Sequence, residues 1–220
     1  MHPGPLVPAR FLQRLNRFVC SVILRGREEP VLLRNTGRLR ELLVEGAQVY
    51  LKPKEGGRYR YELFLVKAEE SLVCLNAQLT PRLLTEYMLR TSKPWKASSL
   101  RYEWRFGDSR FDLLVNGTKV VEVKSVTLVR NRTAMFPDAP TLRGRRHLKD
   151  LLRLPENYEP AVVFIVQRED AERFTPNRET DPEFAEILKL CHRQGLTVKA
   201  FLCRVREEEV SIQRELPVIF

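Results

Sequence analysis

Short apolar runs separated by Gly, Pro or charged residues mark out the first third of the chain: FVCSVIL (18–24), VLLR (31–34), QVYLKP (48–53), YRYELFLV (59–66) and SLVCL (71–75). Runs of that length between turn-forming residues read as strands. RLRELL (38–43) reads as one short helical stretch among them. Five strands over this span suit a small barrel of the OB type.

From Thr80 the pattern changes. Thr80-Pro81 resembles a cap followed by Pro at the first helical position, and LLTEYMLR continues with apolar residues at 83, 84, 87 and 88. Strands are expected near 100–106, 110–115 and 119–126. TLRGRRHLKDLLRL (141–154) has the period of an amphipathic helix, and AVVFIV (161–166) reads as a buried strand. Asp181-Pro182 opens a further helix that Gly195 closes, and TVKAFLCRV (197–205) is a last strand. Helices alternating with strands imply a mixed sheet covered by helices. The predicted organisation is an OB-like five-stranded barrel over 1–76 and an α/β domain over 77–220.

Charge adds a partner class. Lys and Arg number 38 against 28 Asp and Glu, a net charge of +10, and arginine greatly outnumbers lysine. Such a surface favours polyanions, and the planar guanidinium matches phosphate oxygens in pairs. The longest apolar run, AVVFIV, is far below the roughly 20 residues of a membrane-spanning helix. The opening MHPGPLVPARF lacks the apolar stretch of a signal peptide. Four scattered cysteines without a C-x-x-C pair predict reduced thiols and no zinc site. The expected setting is cytoplasmic, without a membrane partner.

The chemistry centres on RFDLLVNGTKVVEVKSV (110–126), two apolar strands joined at Asn116-Gly117 and interrupted by Asp112, Glu122 and Lys124. Charges are costly in a half-buried sheet unless paired or bound to something. Glu122 and Lys124 share a face. A two-residue loop puts Asp112 opposite Val121, on the other face; a three-residue loop puts it opposite Glu122. In the second register two carboxylates meet, and Mg²⁺ or Mn²⁺ between them relieves their repulsion. Lys124 is then placed to orient a water or stabilise an oxyanion. The competing reading is a salt-bridged face without a metal.

Glu86, within the helix before these strands, is a further candidate carboxylate, although Arg82 and Arg90 stand at i−4 and i+4 to pair with it. Arg130, Arg132, Arg143, Arg145 and Arg146 follow the hairpin with a single acid, Asp138, among them, and form the expected phosphate-binding stretch. His147 ends it, as either a packing or a site residue. From the barrel, Arg38, Arg58 and Arg60 join the candidate nucleic-acid contacts, the last two interleaved with Tyr59 and Tyr61.

NTGR (35–38), RFD (110–112), EVKSVTL (122–128), FPDAPTLRGRRHL (136–148) and the closing ELPVIF together resemble the sugar fermentation stimulation protein family, SfsA. The resemblance implies an OB-like N-terminal domain and a restriction-endonuclease-like C-terminal domain related to PD-(D/E)xK nucleases. It also implies DNA binding without sequence specificity and, in enteric bacteria, a regulatory link to maltose metabolism. The nuclease pattern falls on Asp112, on Glu122 and Lys124, and on Glu86 as the helix carboxylate. Phe111 stands where the proline of the PD element would be. The expectation is a DNA-binding protein with a metal-dependent phosphodiesterase site. The alternatives are a catalytically idle DNA-binding regulator and a single-strand or RNA-processing protein led by the barrel.

Overall fold

The computed structural model describes residues 1–69 and 71–220. Strands β1 (Val7–Arg14), β2 (Val19–Leu24), β3 (Arg27–Leu32), β4 (Gln48–Pro53) and β5 (Tyr61–Ala68) form a barrel, and β6 (Ser71–Cys74) adds to β5. The strand order is β3-β2-β1-β4-β5, and the parallel pair Leu32–Glu62 closes β3 onto β5. Closure removes exposed sheet edges and buries Phe11, Val22, Val31, Leu51 and Leu63 inside.

Two local expectations fail here. β1 was absent from the predicted strands: VPARFLQR does alternate, burying Ala9 and Phe11, but its proline and arginines mask the period. RLRELL is not a helix. Arg40–Leu42 form a turn, and Leu39 adopts a positive φ of 53° with its side chain buried. The leucine spacing that suggests a helical stripe instead drops Leu39 and Leu42 into the barrel core.

A 3₁₀ turn (Ala77–Leu79) leads into α1 (Thr80–Thr91). There follow β7 (Leu100–Phe106), β8 (Ser109–Val115), β9 (Lys119–Val126), β10 (Leu128–Arg130), β11 (Thr133–Phe136) and α2 (Leu142–Leu152). The chain ends with β12 (Glu159–Val166), β13 (Arg173–Pro176), α3 (Pro182–Arg193), β14 (Thr197–Val205) and β15 (Val210–Leu216). The main sheet runs β15-β14-β12-β9-β8-β7, parallel at its centre and antiparallel at both edges. β14 is therefore not the last strand. β10, β11 and β13, too short for a periodic signal, build a second small sheet.

One apolar cluster crosses between the halves: Tyr50, Phe64 and Cys74 of the barrel pack with Leu84, Met88, Val121 and Val163. The Cys74 N–H also donates to the Gln167 carbonyl at 2.9 Å. On the other sheet face α2 and α3 pack Leu148, Phe184 and Leu188 against Val162 and Phe164. The four cysteines are free and buried. Among the described residues no helix is long and apolar enough to cross a membrane.

Candidate functional site

The β8–β9 hairpin uses the three-residue loop: Val115 pairs with Lys119 and Leu113 with Val121. Asn116 (φ 54°) and Gly117 (φ 75°) both take the left-handed region, which asparagine and glycine tolerate best. The Asn116 Oδ1 accepts from the N–H groups of Ser98 and Ser99, at 2.8 and 3.2 Å, which holds this conformation. Continued one step, the register sets Asp112 opposite Glu122.

The pairing of β8 with β9 stops at Leu113–Val121, whereas β9 runs on against β12 for its whole length. At the fork the Asp112 Oδ2 accepts from the Val123 N–H at 2.7 Å. Side-chain alternation also switches there. Leu113 and Val115 pack into the cluster shared with α1, but Phe111 packs into the opposite one with Trp104. On β7, Glu103, the register neighbour of Asp112, has a φ of 56°. The sheet opens where its charges lie.

Glu122 is 4% exposed. Its Oε1 receives the Lys124 ammonium at 2.5 Å and contacts His147 Nδ1 at 2.6 Å. The His147 Nε2 faces the Arg143 Nε at 3.4 Å; arginine only donates, so Nε2 accepts and Nδ1–H donates to Glu122. The other oxygen, Oε2, is buried with no hydrogen-bond partner. Burial raises the Glu122 carboxyl, but Lys124 and His147 outweigh it and hold it below the usual glutamate range. Burial first, and then the Glu122 charge, pushes Asp112 up to about 7 despite the Val123 hydrogen bond. A neighbouring pair of carboxylates is thus split, with Glu122 charged and Asp112 ready to hold a proton.

Asp112, Glu122 and Lys124 line a cleft of about 1030 Å³ between the barrel and the α/β domain. Arg34 and Asn35 enter it from the barrel, Arg82 from the first turn of α1, and Arg143 from α2. The NTGR and FPDA stretches meet at its wall. Asp138 Oδ2 accepts from Leu39 N–H at 3.3 Å, and a Cβ on Gly37 would lie 2.4 Å from that oxygen, so a larger residue there would displace the Asp138 carboxylate.

The other predicted site residues disperse. Glu86 is not brought to the carboxylate pair: it binds Arg82 at 2.9 Å and the Met1 amino group at 3.3 Å. This is the helix-surface pairing that its i−4 arginine offers. Arg145 is committed to Asp181 at 2.7 Å and to Glu183, tying α2 to the start of α3. Arg130 and Arg132 border a separate cavity and pair with Glu179 and Glu172. Arg60 pairs with Glu29, Arg58 lies over the Tyr59 ring, and Arg38 and Arg146 are exposed. Sequence reasoning missed Arg34, Tyr102 and Glu103, which line the cleft and which only the tertiary fold brings beside the hairpin, and it passed over Arg110, a cleft residue on the hairpin's own first strand.

Barrel, mixed sheet and forked acidic hairpin define a two-domain protein with its candidate site between the domains. A family model described as the SfsA N-terminal OB domain matches residues 12–75, and one described as the sugar fermentation stimulation protein RE domain matches residues 75–209. The chain belongs to the sugar fermentation stimulation protein family. It is 48% identical over 208 residues to the sugar fermentation stimulation protein homolog of Aquifex aeolicus, covering 94% of this chain and 95% of that one. The homolog of Carboxydothermus hydrogenoformans is 42% identical, with 97% and 96% covered. The solved structure of Pyrococcus furiosus SfsA in complex with Ca²⁺ superposes with a TM-score of 0.93 at 32% identity, over 100% of this chain and 98% of that one.

Proposed function

We propose that the chain binds DNA in the interdomain cleft and cleaves phosphodiester bonds there with Mg²⁺ or Mn²⁺, as a nuclease of the PD-(D/E)xK kind. The observation that carries this reading is the buried Glu122 Oε2, which has no donor and lies beside a second carboxylate. A buried anionic oxygen left without a partner is costly, and a hard divalent cation is its natural complement.

The donor set fits such an ion. No group of three or more His, Cys, Asp or Glu among the described residues is clustered to hold a metal, but Mg²⁺ is commonly held by one or two carboxylates and completes its shell with water and substrate phosphate. The Ca²⁺ named with the Pyrococcus furiosus relative, an oxygen-seeking ion of the same charge, supports the reading. When bound, the cation would offset charge on a phosphate and make water a better nucleophile.

The protein's own residues supply the rest. Asp112 and Glu122 would hold the ion. His147 fixes the Glu122 carboxylate, and the fork at Val123 fixes that of Asp112. Lys124, on the Glu122 Oε1, supplies a positive donor beside the place where negative charge would develop. Arg82 and Arg143 line the same cleft and would contact backbone phosphates.

The test is a calorimetric titration of Mn²⁺ and Mg²⁺ into the protein and its Glu122→Gln variant, with linear and single-stranded DNA incubated alongside. Metal binding lost in the variant together with metal-dependent cutting is the expected result. DNA binding without cutting leaves a DNA-binding regulator, a reading favoured by the Lys124–Glu122 ion pair, which already neutralises one carboxylate. Absence of metal binding to the native chain overturns the site.

A further inference from the structure

Eight large apolar side chains are roughly half or more exposed among the described residues, and two of them are aromatic: Phe18, 51% exposed, and Tyr102, 47% exposed. Both line the cleft that holds Asp112 and Glu122. They come from different domains, Phe18 from the turn between β1 and β2 and Tyr102 from the edge strand β7. The Arg17 guanidinium lies 5.7 Å over the Phe18 ring and also lines the cleft. Scattered exposed aliphatics need no explanation. Exposed rings confined to one basic, carboxylate-bearing cleft do.

The backbone presents Tyr102 deliberately. Tyr102 pairs with Leu113 and Trp104 with Phe111, and between them Glu103 turns through a positive φ of 56°. Leu100 packs on the cluster of one sheet face and Trp104 is buried in the other, so the strand changes sides around Tyr102. Its ring is left in the cleft beside the exposed Arg101 and Glu103, while Leu100 and Trp104, two positions away on either side, pack against the two clusters. Glu103 in turn meets Arg110 at 3.4 Å, and both border the same cleft.

From this we infer that Phe18 and Tyr102 are stacking platforms for nucleobases, and that the cleft takes unpaired nucleic acid in preference to duplex. The inference rests on the phosphodiesterase reading for the site itself and adds the class of substrate. Aromatic rings beside a backbone-binding cationic groove are how single strands are held with little regard to sequence. A base inside a duplex has both faces covered by its neighbours and cannot lie on a ring until it is splayed out. Arg17, Arg82 and Arg143 meet phosphates, and the two rings meet bases, so a single strand satisfies both sets of groups together.

The experiment is fluorescence anisotropy with a labelled DNA strand, the RNA of the same sequence, the DNA duplex, and a strand carrying abasic sites at its centre, in Ca²⁺ and in EDTA. The proteins are the full chain, Phe18→Ala, Tyr102→Ala, Phe18→Tyr and Tyr102→Phe. Both rings are half exposed, so melting curves should match the native chain. The expected result is tighter binding of the DNA or RNA strand than of the duplex. Each alanine variant then loses on the order of tenfold in affinity for the intact strand, little for the abasic strand, and the aromatic variants restore it. Equal binding of intact and abasic strands, or duplex preferred over both single strands, overturns the stacking inference while leaving the phosphodiesterase reading intact. Failure of every nucleic acid to bind overturns both.

Discussion

The Asp112 carboxylate takes its hydrogen bond from the main-chain N–H of Val123, 2.7 Å away, where β8 and β9 cease to pair. A side chain there does the work that a strand carbonyl does elsewhere in the ladder. Asp112→Asn keeps an acceptor for Val123 and removes the charge, so melting in EDTA should be at or above that of the native chain. Asp112→Ala leaves the N–H without a partner and should cost about 1–3 kcal/mol. Stabilisation by added Mn²⁺ should vanish in both variants. Thermal melts with and without Mn²⁺ check all three expectations.

The position of Asp112 at about 7 has a definite sign. Its unfolded value is about 4, so between those pH values the folded chain holds a proton that the unfolded chain has released. Stability of the cation-free protein should therefore fall as pH rises from about 4 to about 7, and level off beyond. Denaturant unfolding in EDTA across that window would show the slope, and Asp112→Asn should flatten it.

His147 is 2% exposed and holds Glu122 through Nδ1. His147→Ala should destabilise the fold by roughly 1.5–3 kcal/mol, the range for a lost hydrogen bond to a charged group. It should also weaken Mn²⁺ binding, because the Glu122 carboxylate loses its support. His147→Asn keeps a donor near the Nδ1 position and should recover part of the metal affinity. Calorimetric Mn²⁺ titration of the two variants separates positioning from packing.

Arg143 and Arg145 are two residues apart and should behave differently. Arg143 lines the cleft, whereas Arg145 is bound to Asp181 and Glu183. Arg143→Gln should weaken DNA binding and lower the salt slope by about 1. Arg145→Gln should leave the slope unchanged but lower the melting temperature, since Asp181, fully buried, loses its cation. DNA titrations at several salt concentrations decide between them.

Much of this arrangement was legible in the chain itself. The strands expected at 100–106, 119–126 and 197–205 fall on β7, β9 and β14, and the acids of the hairpin stand out because they interrupt apolar strands. The choice between loop registers was not legible. It depends on Asn116 reaching Ser98 and Ser99, a contact made by a separate segment. Arg145 and Arg143 look alike in sequence, and only the approach of α3 distinguishes them. Phe18 and Tyr102 look like core residues until the fold leaves them uncovered.

The apolar cluster shared by barrel and sheet has a mechanical meaning. Tyr50, Phe64 and Cys74 are packed on Leu84 and Val121, so the two walls of the cleft are faces of one solid body, a mould and not a pair of jaws. On the proposed reading, a nucleic acid entering it must be the partner that yields, by bending, unstacking or threading, and selection would act on how readily each one deforms.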